Sequence, residues 1–186
     1  MAQTLKDLRA DICKFKNQWP FVPAMYILLL HPRILPVLLM RLSHGAYRHR
    51  FKLTARLFAL LNQILFGCDI ARGANIAGGL YLPHPQGVVI GEFVRIGANC
   101  IVHQGVTLGA RGEEHANGYL EIHEEVEIAT GAKILGVLTL GAYARIGANA
   151  VVLNSVPAAG VAVGMPARVV KYRCLESEGV TGPLPC

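Results

Sequence analysis

The sequence holds 186 residues, 53% of them hydrophobic and 16% charged, with a formal net charge of +6. That length fits one compact unit, or a small helical piece joined to a repeat piece, and the apolar surplus points to buried subunit contacts or a membrane surface. Nucleic-acid binding has only the net charge in its favour, since no basic run carries interleaved stacking aromatics. The five cysteines make no CxxC pair and follow no signal peptide, which excludes zinc spacing and reads as free thiols in a reducing, cytoplasmic setting.

In chain order, Leu5, Leu8, Ile12 and Phe15 recur at helical spacing and predict a first amphipathic helix that stops near Trp19-Pro20. Phe21 to Leu30 is an apolar run of ten residues, too short to span a bilayer. Further helices are expected over 34–47 and 53–66, the second carrying Leu53, Leu57, Leu60, Leu61, Ile64 and Leu65 and ending at Gly67. Residues 1–66 hold ten Lys or Arg against two acids, and residues 67–186 hold eight against ten. Residues 1–67 thus form a basic helical domain, suited to a phosphate-bearing ligand, an acidic partner or peripheral contact with the inner face of the cytoplasmic membrane.

From Cys68 the period changes. An aliphatic residue returns every six positions at Ile122, Ile128, Ile134, Leu140, Ile146 and Val152, and the same register runs backwards through Ile90, Ile96, Val102 and Leu108 and through Ile70, Ile76 and Leu82. Six matches neither a helix nor a simple strand; it is the hexapeptide repeat of a parallel β-helix, three rungs to a coil, expected over 68–172. The register slips by two residues around Gln86-Gly87. Fourteen residues separate Leu108 from Ile122, so about eight must leave the coil as an excursion within 110–121. Residues 173–186 carry no period and read as a loose tail.

Such solenoids are associated with acyl transfer from coenzyme A, a link that has to be argued at a site. Transfer from a thioester to an alcohol needs a base near pKa 7, a group to orient it and backbone donors for the oxyanion. His84 stands at the register slip, and Asp69 lies fifteen residues earlier, close to one coil, where a carboxylate would fix the imidazole tautomer. His103, one coil later, competes for the same role. The three clustered histidines of a metal-dependent carbonic-anhydrase-like trimer are not evident, so no metal is expected.

Six ordered motifs then converge: Cys68-Asp69-Ile70, Gly79-Leu80-Tyr81-Leu82-Pro83-His84, Gly87-Val88-Val89-Ile90-Gly91-Glu92, Gln104-Gly105-Val106-Thr107-Leu108-Gly109, Gly131-Ala132-Lys133-Ile134-Leu135-Gly136 and Gly164-Met165-Pro166-Ala167-Arg168-Val169-Val170. With Arg41-Leu42-Ser43-His44 before them, they resemble the serine acetyltransferases over nearly the whole chain. The resemblance implies a left-handed parallel β-helix behind a small helical domain, acetyl-CoA as co-substrate, a homotrimer, catalytic His84 and partner Asp69. It also implies CoA in a groove between two subunits, at Ala110, Arg111, Thr130 and Ala148 with Arg145 and Arg168 near the phosphates, and an oxyanion donor around Gly109-Ala110. Whether trimers pair, as the family's N-terminal helices arrange, is left open by the shortness of the helices here.

The departures concern the acceptor. The family's acid before the catalytic His is replaced by Pro83, an N-terminal acid by Trp19, and the Arg-His pair of the loop by Gly118-Tyr119; His115 is a candidate to replace the lost His. A zwitterion lacking its counter-charges is poorly held. Trp19, Pro83 and Tyr119 give an aromatic, uncharged lining that suits a sugar, as in relatives of the serine enzymes that act on surface polysaccharides. The sequence therefore predicts an O-acetyltransferase acting on a saccharide hydroxyl. The alternatives are a serine O-acetyltransferase of cysteine synthesis and a non-catalytic assembly module.

Overall fold

The computed structural model describes residues 2–18, 33–112 and 118–174. The run Phe21–Leu30, Trp19, His115 and most of the tail lie outside them. Among the described residues three helices come first: α1 (Ala2–Gln18), α2 (Leu35–Arg48) and α3 (Lys52–Phe66). α3 ends where the sequence places a stop, at Gly67, whose φ of 61° is left-handed and whose N–H donates to the Gln63 carbonyl at 3.0 Å. α2 and α3 pack on each other. Ser43 Oγ donates to the Ala55 carbonyl at 2.8 Å and Asn62 Nδ2 to the Pro36 carbonyl at 3.1 Å, so polar side chains in the interhelical seam are bonded to backbone.

The helical periodicity of α3 gave its existence but not its buried side. Ala55 and Asn62 are its buried residues, while Leu53 is 83% and Ile64 69% exposed, with Leu57 and Leu65 on the surface as well. Leu53, Leu57 and Leu65 follow the helix period but lie on the exposed side, whereas Leu61 is half-buried.

The β-helix has three parallel sheets. Sheet A comprises β1 (Asp69–Ile70), β3 (Val89–Ile90), β6 (Thr107–Gly109), β9 (Lys133–Leu135) and β12 (Val151–Val152). Sheet B comprises β2 (Asn75–Ile76), β4 (Val94–Ile96), β7 (Leu120–Ile122) and β10 (Thr139–Leu140). Sheet C comprises β5 (Ile101–Val102), β8 (Glu127–Ile128), β11 (Arg145–Ile146), β13 (Gly160–Val163) and β14 (Arg168–Tyr172), the last pairing antiparallel to β13 as a closing hairpin.

Register explains the repeat. Ile90 pairs with Leu108, one eighteen-residue coil on, and Ile134 with Val152, again eighteen. Ile70 pairs with Ile90, twenty residues on, which is the two-residue slip; Leu108 pairs with Ile134, twenty-six on, which is the eight-residue excursion. The excursion leaves the ladder intact and is over by Leu120, where β7 pairs with β4. Every repeat anchor from Ile70 to Val152 is buried, and so is the residue two positions before each, from Cys68 and Ala74 to Ala144 and Ala150. Two inward rows per strand fill the core, each fully buried aliphatic side chain contributing about 1.5–3 kcal/mol.

Of the cysteines, Cys13, Cys68 and Cys100 are free, the last two buried. Burial pushes both of those thiols up to about 12, so they sit in the core as small apolar groups. Cys174 is disulfide-bonded, which corrects the reading of five free thiols. No helix among the described residues is long and apolar enough to cross a membrane.

Candidate active site

The first coil is anchored to the helices by a buried ionic node. Arg41 of α2 donates from Nε and Nη2 to the two oxygens of Asp11 on α1, at 2.8 and 3.1 Å. Its remaining donors reach the carbonyls of Ile76 at 2.6 Å and Ala77 at 2.7 Å. Asp11 Oδ1 also accepts from the N–H groups of Gly79 and Leu80, at 2.7 and 3.0 Å. His44 is buried beside this node with its Nε2 3.1 Å from the Ala71 carbonyl. Burial lowers its pKa to about 4, the carbonyl opposing and the charges of Arg41 and Arg48 reinforcing the shift, so it is a neutral packing residue. The Arg41-Leu42-Ser43-His44 motif thus fastens two domains together. The sequence offered its presence but no sign that Asp11 was the partner.

His84 lies on the turn that enters sheet A. That corner, residues 83–87, stacks on the one leading into β1: Gly87 N–H donates to the Gly67 carbonyl at 2.8 Å and Asp69 N–H to the Val88 carbonyl at 2.9 Å. Asp69 and His84 are both exposed and flank one corner, but no hydrogen bond or ion pair joins them within the chain. Pro83 is half-buried beside His84.

The same C-to-A edge continues downwards. Gly105 N–H bonds the Gln86 carbonyl, Gly131 N–H the Gln104 carbonyl and Asn149 N–H the Thr130 carbonyl, each at 2.8–2.9 Å. Gln86, Gln104, Thr130 and Ala148 therefore stand in one column, with His84 two residues before its head on the same corner; the side-chain oxygen of Gln104 is buried without a partner. On the adjoining face of sheet C, Glu127 joins two sequence candidates: its carboxylate is 3.8 Å from His103 Nε2 and 3.0 Å from Arg145 Nη2. Arg168 begins β14 at the far end, exposed, with Nη1 donating to the Ala167 carbonyl.

Gly109, Ala110 and Arg111 occupy the opposite edge of sheet A, facing Gly118, Leu120, Gly136 and Val137 around a small recess. β6 and its flanking residues, four steps from Val106 to Ala110 at about 3.3 Å each, separate the two edges by roughly 13 Å. One chain thus presents two half-sites on the two borders of sheet A and does not bring them together. Tyr119 closes the excursion, and here the expected uncharged lining is wrong. The Arg95 guanidinium lies 3.8 Å from the centroid of the Tyr119 ring and pairs with Glu121 at 3.2 Å, so a cation from β4 covers the aromatic face.

A third feature escaped the sequence reading. Between α3 and the first coil is a cavity of about 370 Å³ lined by Tyr47, Arg56, Gln63, Asp69, Arg72 and Glu92. Its wall includes the candidate orienting carboxylate, but its other charges come from elements too far apart in the chain for any local motif to group them. Among the described residues no three or more His, Cys, Asp or Glu gather where they could hold a metal.

No family model matches the chain. Individual relatives do. The serine acetyltransferase of Helicobacter pylori strain J99 is 38% identical over 155 residues, which is 83% of this chain and 87% of the relative. The chain belongs to the serine acetyltransferase family. The Staphylococcus xylosus serine acetyltransferase is 44% identical over 130 residues, of which this chain spans 60% of the relative's length. Among solved structures, serine acetyltransferase from Brucella abortus in complex with coenzyme A superposes with a TM-score of 0.82 at 32% identity, covering 90% of this chain and 67% of that one. The Neisseria gonorrhoeae enzyme in complex with serine gives 0.81 at 31%, covering 90% and 69%.

Membership in this family makes the β-helix left-handed and the chemistry that of a CoA-dependent O-acetyltransferase. It overturns the saccharide acceptor and the surface-polysaccharide setting, because relatives at 37–44% identity carry the name serine acetyltransferase. At Tyr119 the physical reason is visible, since the loop position has lost its own charge but Arg95 brings one to it from β4.

Proposed function

We propose that the protein transfers the acetyl group of acetyl-CoA to the hydroxyl of L-serine. The observation that supports this most directly is the position of His84, exposed on a corner stacked against the one leading into Asp69 and two residues before Gln86, which heads the column of Gln104, Thr130 and Ala148. His84 takes the serine hydroxyl proton as the oxygen attacks the thioester carbonyl, and Asp69 holds the imidazole tautomer and stabilises the imidazolium. The new C–O bond makes a tetrahedral oxyanion, which collapses with cleavage of the C–S bond. The departing thiolate takes the proton back from His84, giving CoA and O-acetylserine with no acyl-enzyme.

The oxyanion donor at Gly109-Ala110 sits on the other border of sheet A, so the reading requires a groove between two chains, as in a trimer, in which one chain's His84 edge faces a neighbour's excursion. CoA would lie along that groove on backbone groups of Ala110, Arg111, Thr130 and Ala148, with Arg145 and Arg168 toward its phosphates. Arg145 already holds Glu127, so a phosphate there would have to displace that pair.

The test is thiol release from acetyl-CoA with L-serine as acceptor. His84→Ala should lower the rate about 10² to 10⁴-fold while CoA affinity, read by calorimetry, stays near that of the parent protein. Absence of release with serine, or an equal loss of CoA affinity in the variant, would remove the assignment.

A further inference from the structure

The outer face of sheet C borders the column along which the proposed CoA groove runs. Ile128 and Ile146 point into the core, so Glu127 and Arg145, one residue earlier on their strands, point outward. Glu127 stands three residues before Thr130 and Arg145 three before Ala148, which places both side chains beside the two column positions assigned to CoA. Pairing of the strands sets Ile101, Glu127, Arg145 and Val161 in one row, with Lys171 next to Val161 at its end. Glu127 is the acid of that row. One of its oxygens lies 3.0 Å from Arg145 Nη2 and the other 3.8 Å from His103 Nε2, beyond hydrogen-bond reach, so the carboxylate is committed to Arg145. With side chains 32% and 50% exposed, the pair adds little to the stability of the coil beneath it. Its weight falls on any anion that comes to Arg145.

We propose that Glu127 sets the affinity for acetyl-CoA by holding Arg145 until a phosphate of the co-substrate displaces it. The inference rests on the proposed CoA groove and deepens it, because it adds a positioning residue that acts through Arg145. A phosphate reaching Arg145 exchanges one anionic partner of the guanidinium for another and leaves the Glu127 carboxylate beside it as a like charge. The gain is therefore smaller than an unengaged guanidinium would give. The same exchange runs backwards when CoA leaves: the carboxylate recaptures Arg145, so the pair opposes retention of the product as much as binding of acetyl-CoA. Among the described residues Arg168 and Lys171 hold no carboxylate, which confines the competition to Arg145.

The experiment measures CoA binding by calorimetry with no acceptor present, and the ratio of kcat/KM for acetyl-CoA over that for S-acetylpantetheine, which keeps the thioester and lacks the nucleotide and its phosphates. Glu127→Gln should tighten CoA about two- to fivefold at low salt and raise the ratio by a similar factor. The gain should shrink towards nothing at about 1 M NaCl, where the groove's charges are screened. Arg145→Gln should weaken CoA binding, and adding Glu127→Gln to it should bring no further tightening. Unaltered or weaker CoA binding in Glu127→Gln overturns the inference while leaving the serine reading standing. A full gain in the Arg145→Gln background overturns it as well, since the carboxylate would then act on the phosphates without Arg145. If the parent protein binds no CoA, the groove reading has failed on its own account and the inference falls with it.

Discussion

Replacing Arg41 by Met tests whether the helices are held to the β-helix by the buried node. Arg41 is 3% exposed and spends four hydrogen bonds on Asp11, Ile76 and Ala77. Methionine fills a similar volume but leaves the Asp11 carboxylate in a site with 1% exposure, held only by the Gly79 and Leu80 N–H groups. Removing one partner of a buried pair costs about 3–5 kcal/mol, and the two orphaned carbonyls act in the same direction without adding in full. The measurement is urea denaturation at fixed protein concentration, followed by circular dichroism. A midpoint lowered by the equivalent of about 3 kcal/mol or more is expected, and Asp11→Leu in the same protein should recover at least about 1 kcal/mol by removing the stranded charge. A single variant costing under about 1 kcal/mol would refute the view that the node is the fastening. A double variant costing the full sum of the two singles would show that the two residues do not interact.

His44 predicts a pH effect. Its folded pKa of about 4 lies below the ordinary 6.5, so between those values the unfolded chain binds the extra proton. Stability from this group is present above about pH 6.5 and falls as pH drops towards 4, by up to about 3 kcal/mol in all; His44→Gln should flatten that part of the Tm-versus-pH curve. Gly79→Ala should destabilise by more than about 2 kcal/mol in thermal unfolding, since its φ is +84° and a Cβ would strike the Asn99 side chain and crowd its Cα at 3.1 Å. Deleting residues 111–118 restores six-residue spacing between Leu108 and Ile122, so the protein should fold with a similar Tm yet lose about 10²-fold or more in thiol release. Retained activity there would take the excursion out of the mechanism.

The scaffold was legible because a three-sided coil demands an inward residue at fixed intervals, and Ile128, Ile134, Leu140 and Ile146 cannot serve a helix or an ordinary strand at that spacing. Periodicity was less informative for α3, where Leu53 and Ile64 keep the helix period yet look outward while Ala55 and Asn62 face the chain. His84 and Asp69 could be named from spacing and resemblance. The acceptor could not, because charge around the loop is not supplied by consecutive residues: Arg95 covers Tyr119 from another strand. A one-dimensional reading sees which charges a loop has lost and is blind to charges supplied across the fold.

The excursion between Gly109 and Leu120 leaves sheet A without disturbing the pairing of Leu108 with Ile134. A solenoid of this kind separates two variables that most enzymes inherit together. The number of coils sets the length of the cylinder, whereas the edges can gain or shed whole loops with every core residue left in place. Lineages built on this plan are free to lengthen, trim or exchange what hangs from an edge, and selection on such loops need never be opposed by selection on the core.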